Sequence, residues 1–296
     1  MYYPVKQLWS SSLPILATLV LLSVLVNRAS ANLWTTAKLS QPRSMLAATT
    51  AGTKAIFAGG DPGRNGGTVR VDIYDGATNM WTTANLSLAR SYLAGATAAD
   101  KALFAGGNRG GIGTDTKRVD IYDSSNDRWT TANLTNARYN LAGASLGPKA
   151  FFGSGYGGKA VDIFDGITNT WSTAQLSRAR GGLAATTSAK GDLIFFAGGL
   201  EDGGKFSAVV DIYNATNTWS SAQLSQARAN VAAAAAGTKV MFAGGYKRPL
   251  FQPGRLSDVI DVYDINTNKW TQARLTEARG DIAGGSAGGK IFFAGK

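Results

Sequence analysis

No cysteine and no histidine occur anywhere in the 296 residues. Without cysteine there are no disulfides, no thiolate nucleophile and no sulfur-ligated metal, so packing must hold the chain together. Without histidine there is no Ser-His-Asp triad, no imidazole base and no His-bearing zinc site. Glutamate is nearly missing as well, with only Glu201 and Glu277. Catalysis would have to rest on Asp, Glu, Lys, Tyr or Arg, and a metal would need oxygen ligands alone. Neither a metal nor a cofactor is expected. Charged residues are few, at 17%, while apolar residues make up 44%, so the chain can bury a core and is not a disordered tail. The formal charge is +11. Its basic residues are spread along the whole length, which predicts mild attraction to anionic surfaces and no nucleic-acid partner.

The first thirty-one residues read as an export signal. Lys6 supplies the positive start, Leu13 to Val26 an apolar run, and Ala29-Ser30-Ala31 the small residues before a cleavage site. A membrane-spanning helix needs about 20 apolar residues. This run is shorter and contains Pro14 and Ser23, so no stable membrane span is expected after cleavage. Cleavage after Ala31 removes Lys6 and Arg28 and no acid, which lowers the charge to +9. The mature protein is expected to be secreted, or periplasmic in a bacterium. Three glycosylation sequons begin at Asn85, Asn133 and Asn214, and they matter only where the host glycosylates exported proteins.

What the chain does have is a repeat. Trp34, Trp81, Trp129, Trp171, Trp219 and Trp270 stand 42 to 51 residues apart, a period typical of propellers, solenoids or arrays. Between tryptophans the same words recur: an Ala/Gly-rich stretch, an apolar run ending in Gly-Gly, a variable loop, a segment such as Val119-Asp120-Ile121-Tyr122-Asp123, a polar turn, then tryptophan. Each piece is short and bounded by Gly, Asn, Asp or Ser, as strands are. The four strands of a repeat are called a to d. Strand a, as in Val231-Ala232-Ala233-Ala234-Ala235, is almost free of side chains, which places it innermost at a crowded axis. Strand b is continuously apolar and expected to be covered on both faces. Strand c alternates and carries Tyr74, Tyr122, Phe164, Tyr213 and Tyr263. Strand d carries the tryptophan, expected to be buried between blades.

The glycine pair after an apolar strand, the aromatic of strand c and the tryptophan of strand d together resemble the kelch repeat. The resemblance covers residues 32–296. It implies an all-β, six-bladed kelch-type β-propeller with five complete four-stranded blades. The sixth is split between the termini: residues 279–294 supply strands a and b, Trp34 supplies strand d, and no segment supplies strand c. The third copy departs from the pattern, with Gly153-Ser154-Gly155 in place of Ala-Gly-Gly. Kelch-like propellers include a copper-radical oxidase, excluded here by the missing His and Cys, and a sialic-acid mutarotase using Arg and Glu.

Several motifs have a plainer reading. Gly153 to Gly158 matches G-x-G-x-x-G, but strand c follows where a dinucleotide site needs a helix, so it is the repeat's glycine turn. An arginine precedes strand a in all six copies: Arg43, Arg90, Arg138, Arg180, Arg228 and Arg279. It reads as a brace within the blade rather than a ring of cations at the channel mouth. Asp72 and Asp75, and their equivalents, suggest a catalytic carboxylate pair less than they suggest turn caps, since Asp75, Asp123, Asp165 and Asp264 open Asn/Thr/Gly-rich turns.

The d–a and b–c loops emerge on one face. The b–c loop has 10, 11, 5, 10 and 14 residues in copies one to five, whereas the opposite turns hardly vary. Variable loops on a rigid scaffold are where binding resides. The position two after each arginine faces the same mouth and differs in each copy: Met45, Tyr92, Asn140, Gly182, Asn230 and Asp281. The fifth b–c loop, Tyr246 to Val259, is expected to contribute most, through Arg248 and Phe251. The predicted ligand-binding residues are thus Tyr92, Asn140, Asn230, Asp281, Arg248 and Phe251. The predicted function is a non-catalytic exported recognition module binding a protein or glycan through this face. The alternative is a carbohydrate-active enzyme on the same scaffold.

Overall fold

The computed structural model describes residues 36–63, 66–111, 113–249 and 252–295. The expected signal segment and Trp34 lie outside these. Five four-stranded antiparallel sheets form blades one to five. Blade one is β1 (Ala47–Ala51), β2 (Lys54–Ala58), β3 (Thr68–Asp75) and β4 (Met80–Arg90). Blade two is β5 (Ala94–Ala98), β6 (Lys101–Ala105), β7 (Arg118–Asp123) and β8 (Arg128–Asn133). Blade three is β9 (Ala142–Leu146), β10 (Lys149–Gly153), β11 (Ala160–Asp165) and β12 (Thr170–Gln175). Blade four is β13 (Ala184–Thr187), β14 (Leu193–Ala197), β17 (Val209–Asn214) and β18 (Trp219–Gln223), with a small ribbon of β15 (Leu200–Glu201) and β16 (Lys205–Phe206) in its b–c loop. Blade five is β19 (Ala232–Ala236), β20 (Lys239–Ala243), β21 (Ser257–Asp264) and β22 (Lys269–Arg279). Blade six holds β23 (Ala283–Ala287) and β24 (Lys290–Ala294) alone among the described residues. No described helix is long and apolar enough to cross a membrane.

The innermost strands touch one another in succession, β1 to β5, β9, β13, β19 and β23. Their spacing explains their composition. A methyl group added at Gly95 would lie 2.8 Å from the Ala48 carbonyl oxygen of the previous blade, and one at Gly143 would be closer still to Gly95 O. The core lies between blades. Ile56, Val71 and Leu86 of blade one pack with Phe104 and Tyr122 of blade two, and the same union recurs around the molecule. The five described repeat tryptophans are half-buried rather than buried: each packs on the aromatic of its own strand c, and Trp81, Trp129, Trp219 and Trp270 also on that of strand b, as Trp129 does on Phe104 and Tyr122 at 6.2 and 5.2 Å. Strand d is the outermost strand, so one face of the indole stays open.

Strand c is buried on both faces over its four central residues in blades one to four, and over Asp261, Val262 and Tyr263 in blade five, instead of alternating with solvent. Its first aspartate is the reason. Arg43 Nη1 meets Asp72 at 2.7 Å, Arg90 Nη1 meets Asp120 at 2.7 Å, and Arg138 Nη2 meets Asp162 at 2.6 Å. Arg180 pairs with Asp211 and Arg228 with Asp261 in the same way. The arginines also donate to strand-b carbonyls, as Arg90 Nη2 does to Phe104 O at 2.9 Å. The other oxygen of each aspartate accepts the backbone N–H of the incoming crossover, from Ser40, Ser87, Thr135, Ser177 and Ser225. The arginine is the blade's brace. Asp75, Asp123, Asp165 and Asp264 cap their turns by accepting backbone N–H groups two or three residues on. The two carboxylates of strand c are thus both committed to structure.

Candidate functional site: the channel mouth

On the face bearing the d–a and b–c loops a cavity of about 820 Å³ opens at the axis. Six equivalent crossovers build its rim. Met45, Tyr92, Asn140, Gly182, Asn230 and Asp281 all have φ between 51° and 62°, the left-handed region. Asparagine, aspartate and glycine tolerate it, whereas methionine and tyrosine are held there by their surroundings. The hold is visible in backbone bonds running from blade to blade. Tyr92 N donates to Met45 O at 3.0 Å, Asn140 N to Tyr92 O at 3.0 Å, Gly182 N to Asn140 O at 3.0 Å, and Asn230 N to Gly182 O at 2.8 Å. The rim is thereby a rigid ledge whose side chains are free to vary.

Five of the six predicted residues come together here: Tyr92, Asn140, Asn230, Asp281 and Arg248 all line the cavity. Phe251 lies outside the described residues. The fifth b–c loop is shorter than expected, because β21 already begins at Ser257, but Tyr246, Arg248 and Pro249 do reach the mouth. Arg248 Nη1 donates to Pro253 O at 3.4 Å and stays exposed.

The sequence reading missed the aromatic half of the site. Tyr156 and Tyr246 follow the glycine pair, or its Ser-Gly equivalent, and a β-bridge ties each to a crossover, at Tyr139 and Ala229. Tyr92, Tyr139 and Tyr156 form a continuous arc, with ring centroids 6.1 and 5.0 Å apart. Phe206 and Leu200 extend the wall from blade four. The signal was present in the chain as Gly-Gly-X and its partner. Where X is tyrosine, the next crossover has glycine at the facing position: a Cβ on Gly181 would lie 2.6 Å from the Tyr156 ring, and one on Gly280 2.8 Å from that of Tyr246.

Polar groups converge opposite the arc. Tyr246 donates its phenol to Asp281 Oδ2, and Asn230 Nδ2 donates to Asp281 Oδ1 at 3.4 Å. Arg255 lies over the Tyr246 ring, 5.5 Å from its centroid. Burial and the bond to Asp281 push the Tyr246 phenol up to about 12. Burial likewise raises Tyr92, with Asp61, Tyr139 and Asp281 adding to it, and raises Tyr156. The phenols of Tyr92, Tyr156 and Tyr246 are therefore neutral donors at ordinary pH. Among the described residues no cluster of three or more acidic side chains could hold a metal ion.

Residues 227–274 match the Kelch motif family. The solved structure of YjhT superposes with a TM-score of 0.64 at 17% identity, covering 85% of this chain and 93% of that one. No curated protein matches by sequence. The fold is that of a kelch-type β-propeller. The chain carries the family's motif in blade five and the same four-stranded architecture in blades one to four.

Proposed function

We propose that this protein is a recognition module that binds a glycan end in the channel mouth, and that it acts after export. The observation that carries the reading is the pairing of Tyr92 and Tyr156, whose rings both pack on Tyr139, with amide and carboxylate groups (Asn140, Asn230 and Asp281) around one concavity. Ring faces take the apolar C–H faces of a sugar, and amides and carboxylates take its hydroxyls. The cavity volume is within the range of small-ligand sites. A preformed, hydrogen-bonded rim loses little conformational entropy on binding. The export reading rests on the Lys6, Leu13–Val26 and Ala29-Ser30-Ala31 layout.

A glycan array probed with the parent chain and with Tyr92→Asn tests this. Asparagine keeps the left-handed backbone without strain, so the substitution removes the ring and little else. Retention of a saccharide by the parent and loss by the variant, at equal melting temperature, is the expected result. Chemical conversion of a captured sugar without a stable complex would instead support the enzymatic alternative. Capture of peptides but no saccharides would overturn the ligand class.

A further inference from the structure

A second concavity lies on the outer rim, between blades four and five. It measures about 490 Å³ and is lined by Gln223, Ser225, Asp261, Trp270, Thr271 and Gln272. It shares no lining residue with the channel mouth. The chain builds it from both sides of the gap. Where β18 ends, the crossover turns towards blade five: Leu224 enters the core, and Ser225 N donates to Asp261 Oδ1 at 2.9 Å. That bond holds Gln223 and Ser225 on one concavity with Trp270 of β22. Along β22, Trp270 and Gln272 stand on the same side, because successive side chains of a strand alternate. Trp270 packs that side against blade four.

The lining has the chemistry of a neutral, hydroxylated ligand. Trp270 rests on Phe242 and Tyr263, with ring centroids 6.1 and 5.1 Å away, and stays half-exposed. The side chains of Gln223, Ser225, Thr271 and Gln272 are exposed and have no hydrogen-bond partner among the described residues. Two amides and two hydroxyls supply both donors and acceptors. The one charged member, Asp261, is buried and fully committed, with Oδ1 on Ser225 N and Oδ2 on Arg228. Arg274, the next residue on that side of β22, is held by Asp258 at 2.7 Å. An indole face takes the C–H face of a sugar ring, and uncharged amides and hydroxyls take its hydroxyl groups.

Comparison with the other gaps shows what is special here. Ser87, Thr135 and Ser177 meet Asp120, Asp162 and Asp211 of the next blade through the same backbone bond. The strand-d residue paired with the aspartate is Thr131, Thr173 or Ser221 in those blades, and Gln272 in blade five. In the second gap the Thr135 hydroxyl is also occupied, donating to Asp162 Oδ2 at 3.1 Å. Of the four gaps between complete blades, the one between blades four and five alone has an amide from each side.

We propose that this groove binds a sugar residue of a neutral polysaccharide, with Trp270 as its platform and Gln223 and Gln272 as its hydrogen-bonding arms. The site is separate from the channel mouth and does not rest on the reading of the mouth. With a glycan end held at the axis, a second site at the rim raises avidity for a polymer without a new contact at either.

The test uses the full chain carrying Tyr92→Asn, which removes a ring of the mouth, and hexasaccharides of glucose, mannose, xylose and N-acetylglucosamine as probes. Indole N–H resonances of isotope-labelled protein are followed by NMR, with Trp270→Phe assigning that of Trp270. One of the probes should shift the Trp270 resonance saturably. Gln223→Ala with Gln272→Ala should weaken its binding about tenfold. Both side chains are exposed and unbonded, so the double variant should melt as the parent does. No shift from any probe at millimolar concentration, or equal affinity for the double variant, would overturn the proposal. So would a probe that binds the parent chain and not the Tyr92→Asn chain, which would place the saccharide in the mouth alone. A probe that shifts Trp270 equally in both chains would support the groove and count against the mouth.

Discussion

Asp120 shows how much one residue type carries in this fold. One oxygen of its carboxylate meets Arg90 and the other accepts the Ser87 N–H, so it joins the crossover, strand a and strand c at a point with no solvent. Burial lowers the pKa of Arg90, and Asp120 pushes it back up. Removing the carboxylate strands a buried cation. Asp120→Ala should therefore cost about 3–5 kcal/mol of stability, whereas Arg90→Met with Asp120→Leu should cost much less, because no charge is then left alone. Arg279→Met should cost under about 1 kcal/mol, since that pair is partly exposed. Denaturant unfolding of the four proteins separates these cases, and a cheap Asp120→Ala would refute the bracing role. Tyr246 gives a pH counterpart. Its folded pKa is raised to about 12 from an ordinary value of about 10, so the folded state holds the proton more tightly. Its contribution to stability is complete below about pH 10 and is lost as the pH rises towards 12. Asp281→Asn should bring the Tyr246 titration down, as read by tyrosinate absorbance against the Tyr246→Phe background.

Elements in this protein are set by their neighbours as much as by their own residues, and that decides what the sequence made legible. The repeat words fixed strand type and order, because a period in tryptophan and Gly-Gly needs no knowledge of contacts. The bracing role of the arginine was legible for the same reason, since it recurs in every copy. The tyrosine arc was not, because Tyr139 and Tyr156 meet across a β-bridge between segments that the linear pattern treats as separate loops. Nor did tryptophan burial follow from residue type, since the openness of an outermost strand is a property of the assembled blade. The third copy's departure has the same origin. At Gly153 a Cβ would lie 2.6 Å from the Phe196 ring of blade four, so the alanine of the other copies does not fit. Ser154 then accepts the Arg180 N–H at 2.8 Å and donates to Gly158 O at 3.1 Å, joining blade three to the brace of blade four. Gly153→Ala should destabilise by about 1–3 kcal/mol through overpacking against Phe196. Trimming Phe196 to leucine in the same chain should recover part of it; failure to do so in thermal melts would place the strain elsewhere.

At the scale of the whole molecule, the propeller is a near-repeating array in which each blade is stabilised by the two beside it. Blade six breaks that pattern. Its face towards blade five is packed, with Ile282 and Phe293 against Ala232 and Ala243. On the far side of blade one, the cluster of Ala55, Phe57 and Tyr74 gathers Leu39, Leu46, Ala48 and Trp81; Leu39 stands five residues after Trp34 as Leu86 does after Trp81, and no residue of β23 or β24 joins it. A two-stranded antiparallel sheet has little stability of its own in water. Its β23 is built from Ala283, Gly284, Gly285, Ser286 and Ala287, which bury almost no side chain. Local opening should therefore begin there and run no further than the blade five interface, where the complete sheets resume. Hydrogen exchange followed by mass spectrometry should find the amides of residues 283–294 exchanging well before those of residues 94–105, the equivalent strands of blade two. Protection equal to that of blade two would mean that the edge of β24 is already covered in the isolated chain.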